Sequence, residues 1–190
     1  TCALPIYWRV HKNSTAMENS GAKNYAFDNG IKAIEAHLKR VGLDGKVSNG
    51  DVPGIYRIDY KVKENPKVSI IIPNKDGKDI LTTCVNSILE KTTYENYEIV
   101  IVENNSETEE IFEYYKQLEK NEKIKIVKYP KTGFNYSGII NYGVENSEGD
   151  YIVQLNNDTE LLTSNWLEIM LGYCQREDVG AVRSKTLLSR

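Results

Sequence analysis

The sequence is poor in the residues that staple small folds together. Its three cysteines, Cys2, Cys84 and Cys174, are widely spaced and odd in number, and no C-x-x-C pair occurs. Neither a disulfide framework nor a zinc site is supported, and a reducing compartment is the expectation. Lys and Arg number 24 against 27 Asp and Glu, a net charge of −3, so there is neither a basic field for nucleic acid nor an acidic tail. No apolar run approaches the ~20 residues that cross a bilayer. The opening TCALPIYWRV lacks the basic start and long apolar core of a signal peptide. The chain does not begin with Met, which points to a piece of a longer protein, and it contains no internal repeat or low-complexity tract.

Several motifs are missing as well. There is no G-x-x-x-x-G-K-[ST] loop, which excludes a P-loop NTPase, and no G-x-G-x-x-G after the first strand of the second half, which argues against a dinucleotide-binding unit. The two histidines, His11 and His37, lie near the N-terminus. No Ser/His/Asp order or G-x-S-x-G elbow points to hydrolysis.

What is present is the composition of a globular protein, 40% hydrophobic and 27% charged. An apolar cluster at Leu4 to Val10 predicts a strand, followed by a polar loop. Phe27, Ile31, Ile34, Leu38 and Val41 form one stripe and predict a helix from about Tyr25 to Val41, ended by Gly42. Two short strands, Lys46 to Ser48 and Ile55 to Val62, flank the turn NGDVPG. The charged stretch KENPK at 63–67 reads as a linker.

From Val68 onward strand and helix alternate. Strands are predicted at Val68 to Pro73, Glu98 to Val102, Ile124 to Tyr129 and Tyr151 to Leu155. A last short strand is predicted at Val179 to Val182. Helices are predicted at about Lys78 to Lys91, Glu107 to Lys120, Gly138 to Asn146 and Asn165 to Gln175. Continuous β-branched runs such as VSIII suit strands buried on both faces. The alternation implies βαβ crossovers, hence an α/β fold with a mainly parallel sheet and helices on both faces.

Three polar clusters then share one rim of that sheet. Asn74-Lys75-Asp76 follows the first of these strands, Glu103-Asn104-Asn105-Ser106 the second, and Asn156-Asn157-Asp158 the fourth. Ligands of open α/β sheets bind at that carboxyl edge. Carboxylates and amides there can hold a nucleobase and ribose, and one more carboxylate a hard cation such as Mg2+ or Mn2+. The plainer alternatives are turn formation for Asn-Asn-Asp and helix capping for Asn74 and Asp76. For Cys84 and Cys174, both on apolar helical faces, the expectation is an inert buried thiol.

VSIIIPNKDGKDILTTCVNSIL, then YEIVIVENNS, then GFNYSGIINYGVENSEGDYIVQLNNDTE resembles the amino-terminal half of a family 2 glycosyltransferase, most of all its rhamnosyltransferase-like members with an LNNDTE signature. The likeness runs from Val68 to about Ser184. It implies a GT-A fold, Rossmann-like and incomplete at the C-terminus, a nucleotide-diphosphate sugar as donor, a divalent metal, and inversion at the anomeric centre. Carried over, Pro73, Asn74, Lys75 and Asp76 would line the nucleoside pocket and Glu103 would read the base or ribose, with Asn105 shaping its turn. Asn135 and Asn141 fall beside the donor site. Asn156, Asn157 and Asp158 stand at the metal motif, Asp158 as the metal ligand. The chain departs from the family in having Glu103 where Asp is usual, and in a metal motif with one carboxylate, which implies weak metal affinity without the nucleotide. The general base that inversion requires is expected beyond Arg190, so the catalytic residue is not identified.

The segment LPIYWRVHKNSTA resembles the closing element of another family 2 domain. Residues 1–66 are therefore expected to be the tail of a preceding module plus a small α+β linker of helix and hairpin, and 67–190 the nucleotide-sugar-binding part of a GT-A domain. His11 would serve the upstream site or be a plain loop residue. The implied function is transfer from a UDP- or dTDP-sugar, rhamnose being one candidate, to a saccharide or lipid-linked saccharide acceptor in bacterial cell-surface polysaccharide synthesis. The implied location is cytoplasmic, including the inner membrane face. The alternatives are a nucleotidyltransferase, which would carry a Gly-rich basic loop where this chain has NKDGKD, and a binding or scaffolding module without activity.

Overall fold

A computed structural model describes residues 24–183. The predicted strand at Leu4 to Val10, the preceding-module tail and His11 lie outside the described residues. The chain divides into two compact units between Lys61 and Val62.

In the first unit, α1 (Asn24–Val41) buries Leu38 and half-buries Phe27, Ile31 and Ile34, while Val41 at the end of the stripe stays exposed. Gly42 takes φ +71°, and the Leu43 N–H returns to the Leu38 carbonyl at 3.0 Å, a left-handed glycine ending of the kind helices favour. β1 (Gly45–Asn49) and β2 (Tyr56–Tyr60) pair antiparallel, with Val47 opposite Ile58.

In the second unit, β3 (Val68–Asn74), β4 (Tyr97–Glu103), β5 (Ile124–Lys128) and β6 (Tyr151–Gln154) form one sheet in the order β5-β4-β3-β6. Every ladder in it is parallel. Successive residues of a strand face opposite sides, and both sides are covered. Val68, Ile70, Ile72, Ile99 and Ile101 pack with α2 (Lys78–Lys91), α3 (Glu109–Leu118) and α5 (Trp166–Cys174). Ile71, Val100 and Val102 pack with Ile139 and Ile140 of α4 (Tyr136–Glu145). The expected α/β sheet with helices on both faces is the architecture found. All seven residues of β4 are buried, which accounts for its continuous β-branched run.

Three local differences have physical causes. α3 is shorter than the expected Glu107 to Lys120, because the N–H groups of Glu107 and Thr108 are drawn to the Asp76 carboxylate. α4 starts at Tyr136 instead of Gly138, because Asn135 caps it. The predicted strand at Val179 to Val182 is not formed: the Val179 N–H closes a turn onto the Arg176 carbonyl at 3.0 Å, Gly180 follows, and the chain stays irregular through residue 183.

Candidate donor-nucleotide site

The parallel register sets the site. β3 and β4 end together, with Asn74 opposite Glu103, and the Asn104 N–H continues the ladder to the Asn74 carbonyl at 2.9 Å. β6 stops earlier, pairing only as far as Ile71. The chain beyond it is thereby released to turn back over the sheet end. The three polar clusters are brought together there, at the carboxyl ends of adjacent strands.

Asn74 is the hub. It is 2% exposed. Its Oδ1 accepts from Asn157 Nδ2 at 2.7 Å, and its Nδ2 donates to the Tyr115 hydroxyl at 2.8 Å and to the Asp76 carbonyl at 2.9 Å. One amide thus joins the ends of β3 and β6 to α3. Burial pushes the Tyr115 phenol up, against hydrogen bonds with Asn74 and Ser106. The turn after β3 places two residues in the left-handed region, Asp76 (φ +51°) and Gly77 (φ +62°), and the turn after β4 one, Asn105 (φ +58°), all residue types that tolerate it.

A cavity of about 390 Å3 opens at this rim. Pro73 and Asn74 line it from the end of β3 and Lys75 from just beyond, Asn104 and Asn105 from the turn after β4, and Asn157 from the turn after β6. Gly133 and Phe134 close it from the segment between β5 and α4, and Tyr136 and Ile139 from the first turn of α4 itself. Its walls are mixed: amides and one lysine on the strand side, aromatic and apolar groups opposite. That combination suits a flat, polar-edged ligand.

Next to Asn104 in the chain is Glu103, 2% exposed and beneath the surface of the rim, outside the residues that line the cavity. Its Oε1 accepts the Ser106 N–H at 2.5 Å, whereas Oε2 is buried and has no hydrogen-bond partner among the described residues. A buried carboxylate oxygen left unsatisfied is costly unless something else donates to it.

The remaining expected site residues fall around the cavity. The Asp76 carboxylate faces the start of α3, where Oδ1 accepts from Glu107 N, Thr108 N and Thr108 Oγ1 at 2.8 to 3.0 Å. The Thr108 and Glu107 N–H groups hold it below the usual carboxylate range. Asn135 Oδ1 caps α4 on the Gly138 N–H at 3.0 Å, and Asn141 lies exposed on that helix. Asn156 and Asp158 are exposed, on a turn braced from below by α2. There the Cys84 thiol donates to the Asn156 carbonyl at 3.6 Å, Ser87 Oγ accepts the Leu161 N–H at 3.1 Å, and Lys91 reaches the Leu161 carbonyl and Glu160. Burial pushes the Cys84 thiol up to about 11, as an inert thiol requires.

No group of three or more His, Cys, Asp or Glu placed to hold a metal occurs among the described residues. The donors at this turn are one carboxylate, Asp158, and the amide oxygens of Asn156 and Asn157. Such a set is too small to cage a cation, but it fits a hard cation that takes most of its ligands from phosphate oxygens.

Five contributors were not singled out from the sequence: Gly133, Phe134, Tyr136, Ile139 and Tyr115. Tyr115 is separated from Asn74 by 41 positions, and no local pattern marks its hydroxyl apart from the apolar stripe of α3. Phe134 is 79% exposed, and that exposure is invisible in a segment that reads simply as loop.

No helix among the described residues is long and apolar enough to cross a membrane. A search of known solved structures finds a mannosyltransferase, PcManGT from Pyrobaculum calidifontis, described in complex with GDP-Man and Mn2+. It superposes with a TM-score of 0.56 at 15% identity over 84% of this chain and 44% of that one. This likeness supports the GT-A fold. Among curated proteins, the chain is 36% identical over 179 residues to an uncharacterized protein, y4gI, of Sinorhizobium fredii, covering 94% of this chain and 20% of that protein. It is 34% identical over 184 residues to the O-antigen biosynthesis protein RfbC of Myxococcus xanthus, covering 96% of this chain and 14% of that protein. The chain thus spans a fifth or less of these relatives, and the likeness includes residues ahead of the sheet. The sequence profile described as "Glycosyl transferase family 2" matches residues 69–186. The chain belongs to glycosyl transferase family 2.

Proposed function

We propose that residues 67–190 bind the nucleotide of a sugar-nucleotide donor, as the donor half of a glycosyl-transferring enzyme. The observation that carries this reading is the buried Glu103 carboxylate, with one oxygen fixed and the other unsatisfied, behind a cavity at the carboxyl edge of the sheet. Uracil and thymine each present a single ring N–H between two carbonyls, which one free carboxylate oxygen can accept. Guanine presents an N–H and an amino group side by side and calls for two acceptors, but Oε1 is already committed to Ser106. The donor is therefore a UDP- or dTDP-sugar. Asn105 and Lys75 would face the ribose, and Pro73, Phe134 and Ile139, which line the cavity, would supply apolar surface for the base.

Asp158, with Asn156 and Asn157, would hold Mg2+ or Mn2+ jointly with the diphosphate. When bound, the cation stabilises the negative charge that develops on the departing nucleotide diphosphate. This chain's part is to fix the nucleotide and present the diphosphate. Rhamnose as the sugar, and a saccharide or lipid-linked saccharide acceptor in cell-surface polysaccharide synthesis, complete the proposal. The O-antigen biosynthesis protein of Myxococcus xanthus among the relatives is in keeping with it. The N-terminal residues 1–66 are proposed to join this module to a preceding one.

Calorimetric titration with UDP, dTDP and GDP, with and without Mn2+, tests the reading. Expected is Mn2+-dependent binding of UDP or dTDP and markedly weaker binding of GDP. If a folded chain binds none of the three, the donor-site proposal fails and a scaffolding role remains. Replacing Glu103 by Ala removes the charged acceptor, worth about 1.5–3 kcal/mol, and should weaken the preferred nucleotide about ten- to a hundredfold.

A further inference from the structure

Asp76 stands in the first of the three rim clusters, and one of its carboxylate oxygens already has three donors. Its carboxylate is spent on the chain itself. Oδ1 accepts from the N–H groups of Glu107 and Thr108 and from the Thr108 hydroxyl. Its own N–H donates to Ser106 Oγ at 3.0 Å, and its carbonyl accepts from Asn74 Nδ2. The Ser106 N–H in turn donates to Glu103 Oε1 at 2.5 Å. A continuous path therefore runs from Asp76 through Ser106 to the carboxylate whose other oxygen is unsatisfied.

We infer that Asp76 is a positioning residue for the donor site, which acts by fixing the Ser106 turn, and through it the Glu103 carboxylate, instead of touching the nucleotide. The inference rests on Glu103 being a nucleotide contact, as proposed above. Two features favour it over simple helix capping. Asp76 holds the two N–H groups at the entry to α3, so the chain from Glu103 to Thr108 is pinned at both its carboxylate and its helical end. Asp76 also sits in the left-handed region at φ +51°, as Asn105 does at φ +58°, so the paired turns occupy conformations that unpinned chain leaves readily. Truncating the Asp76 side chain keeps its backbone N–H on Ser106 Oγ but releases the Glu107 and Thr108 N–H groups. The turn from Glu103 to Thr108 then loses its hold at the helical end, and the Ser106 N–H that orients Glu103 is less firmly fixed.

The role needs an acceptor, not a charge, and this separates it from ligand contact. Calorimetric affinities for UDP and dTDP with Mn2+ should be compared across the full chain and its variants, each confirmed as folded by thermal melting. Asp76→Ala should weaken binding about tenfold, and Asp76→Asn, whose amide oxygen still accepts, less than about threefold. In a Glu103→Ala background, Asp76→Ala should add less than about twofold, because coupled residues are not additive. An Asp76→Asn variant as weak as Asp76→Ala would overturn the inference, since charge would then matter. So would full additivity with Glu103→Ala. If Asp76→Ala does not fold, Ser106→Ala breaks the same path with the α3 bonds of Asp76 left in place. It should weaken binding about three- to tenfold, and unchanged affinity would overturn the inference. Unchanged affinity in Glu103→Ala alone would instead remove the donor-site reading beneath it.

Discussion

Phe134 is an unusual residue to find in the open. A phenylalanine at 79% exposure on the rim of a polar-walled cavity leaves apolar surface uncovered, and a base stacking on it would cover that surface. Aromatic–base stacking is worth about 1–3 kcal/mol by alanine substitution. Phe134→Ala should therefore weaken the preferred nucleotide about tenfold while leaving the melting temperature unchanged, because the ring supports nothing else; calorimetry and a melt on the same sample check both. Asp76 carries a pH prediction. Its folded-state pKa is depressed, first by the Thr108 N–H, so its contribution to stability is fully present above the unfolded-state value near 4 and is lost as pH falls through the lower folded value. The difference in urea midpoint between wild type and Asp76→Asn should be constant above about pH 5 and shrink toward zero in stronger acid.

At the scale of elements, the sheet is closed tightly against one helix and one turn. Gly143 of α4 lies where an added Cβ would collide with the Ile71 and Val102 side chains of β3 and β4. Gly143→Ala would gain helix propensity but force α4 away from the sheet, and overpacking of this kind costs about 1–3 kcal/mol. The expected outcome is a lower melting temperature, and α4 borders the cavity through Tyr136 and Ile139, so nucleotide affinity should fall as well. The amino edge of the sheet holds a buried network instead. Ser69 Oγ donates to Glu98 Oε1 at 2.5 Å and accepts the Gly149 N–H at 2.8 Å, and the Glu148 N–H donates to the same Glu98 oxygen at 2.6 Å. Burial pushes the Glu98 carboxyl up, but the Ser69 hydroxyl, the Glu148 N–H and Lys67 outweigh it and hold the pKa below the usual range. Ser69→Ala leaves Glu98 and Gly149 each short of a partner, at a cost of about 1–3 kcal/mol. Chemical denaturation should show this loss, with nucleotide binding intact, because the network lies at the end of the strands opposite the cavity.

For the whole molecule, what could be read in advance depended on whether a signal was local. α2 was legible to its end residues because its stripe, Leu81, Cys84, Val85, Ile88 and Leu89, is periodic and buried except for the half-buried Leu89. β3 and β4 were legible because their central runs, Ile70 to Ile72 and Ile99 to Val102, are apolar as strands covered on both faces require. The convergence of Asn74, Glu103 and Asn157 followed from topology, since parallel strands must deliver their carboxyl ends to one edge. The finer assignment of roles needed contacts between distant positions. Asp76 reads as a ligand-facing residue or a cap for the helix that follows it, yet it caps α3, 32 positions away. Asn135 reads equally as a ligand contact or a cap, and only the structure shows its oxygen on the Gly138 N–H. The stub at Val179 to Val182 has strand composition, but its first N–H is used in a turn.

The proposed pyrimidine nucleotide diphosphate would lie at the carboxyl edge of β3, β4 and β6, with its base against Glu103. Hydrogen–deuterium exchange with UDP and Mn2+ tests this placement most directly, because it reports where binding occurs as well as whether it does. The account predicts slowed exchange confined to residues 74–77, 103–106, 131–139 and 156–159, with no change in β1, β2 or the amino edge of the sheet. Protection that appears elsewhere, such as at the hollow lined by Glu35, Leu38 and Asp44, with none at these four segments, would contradict it.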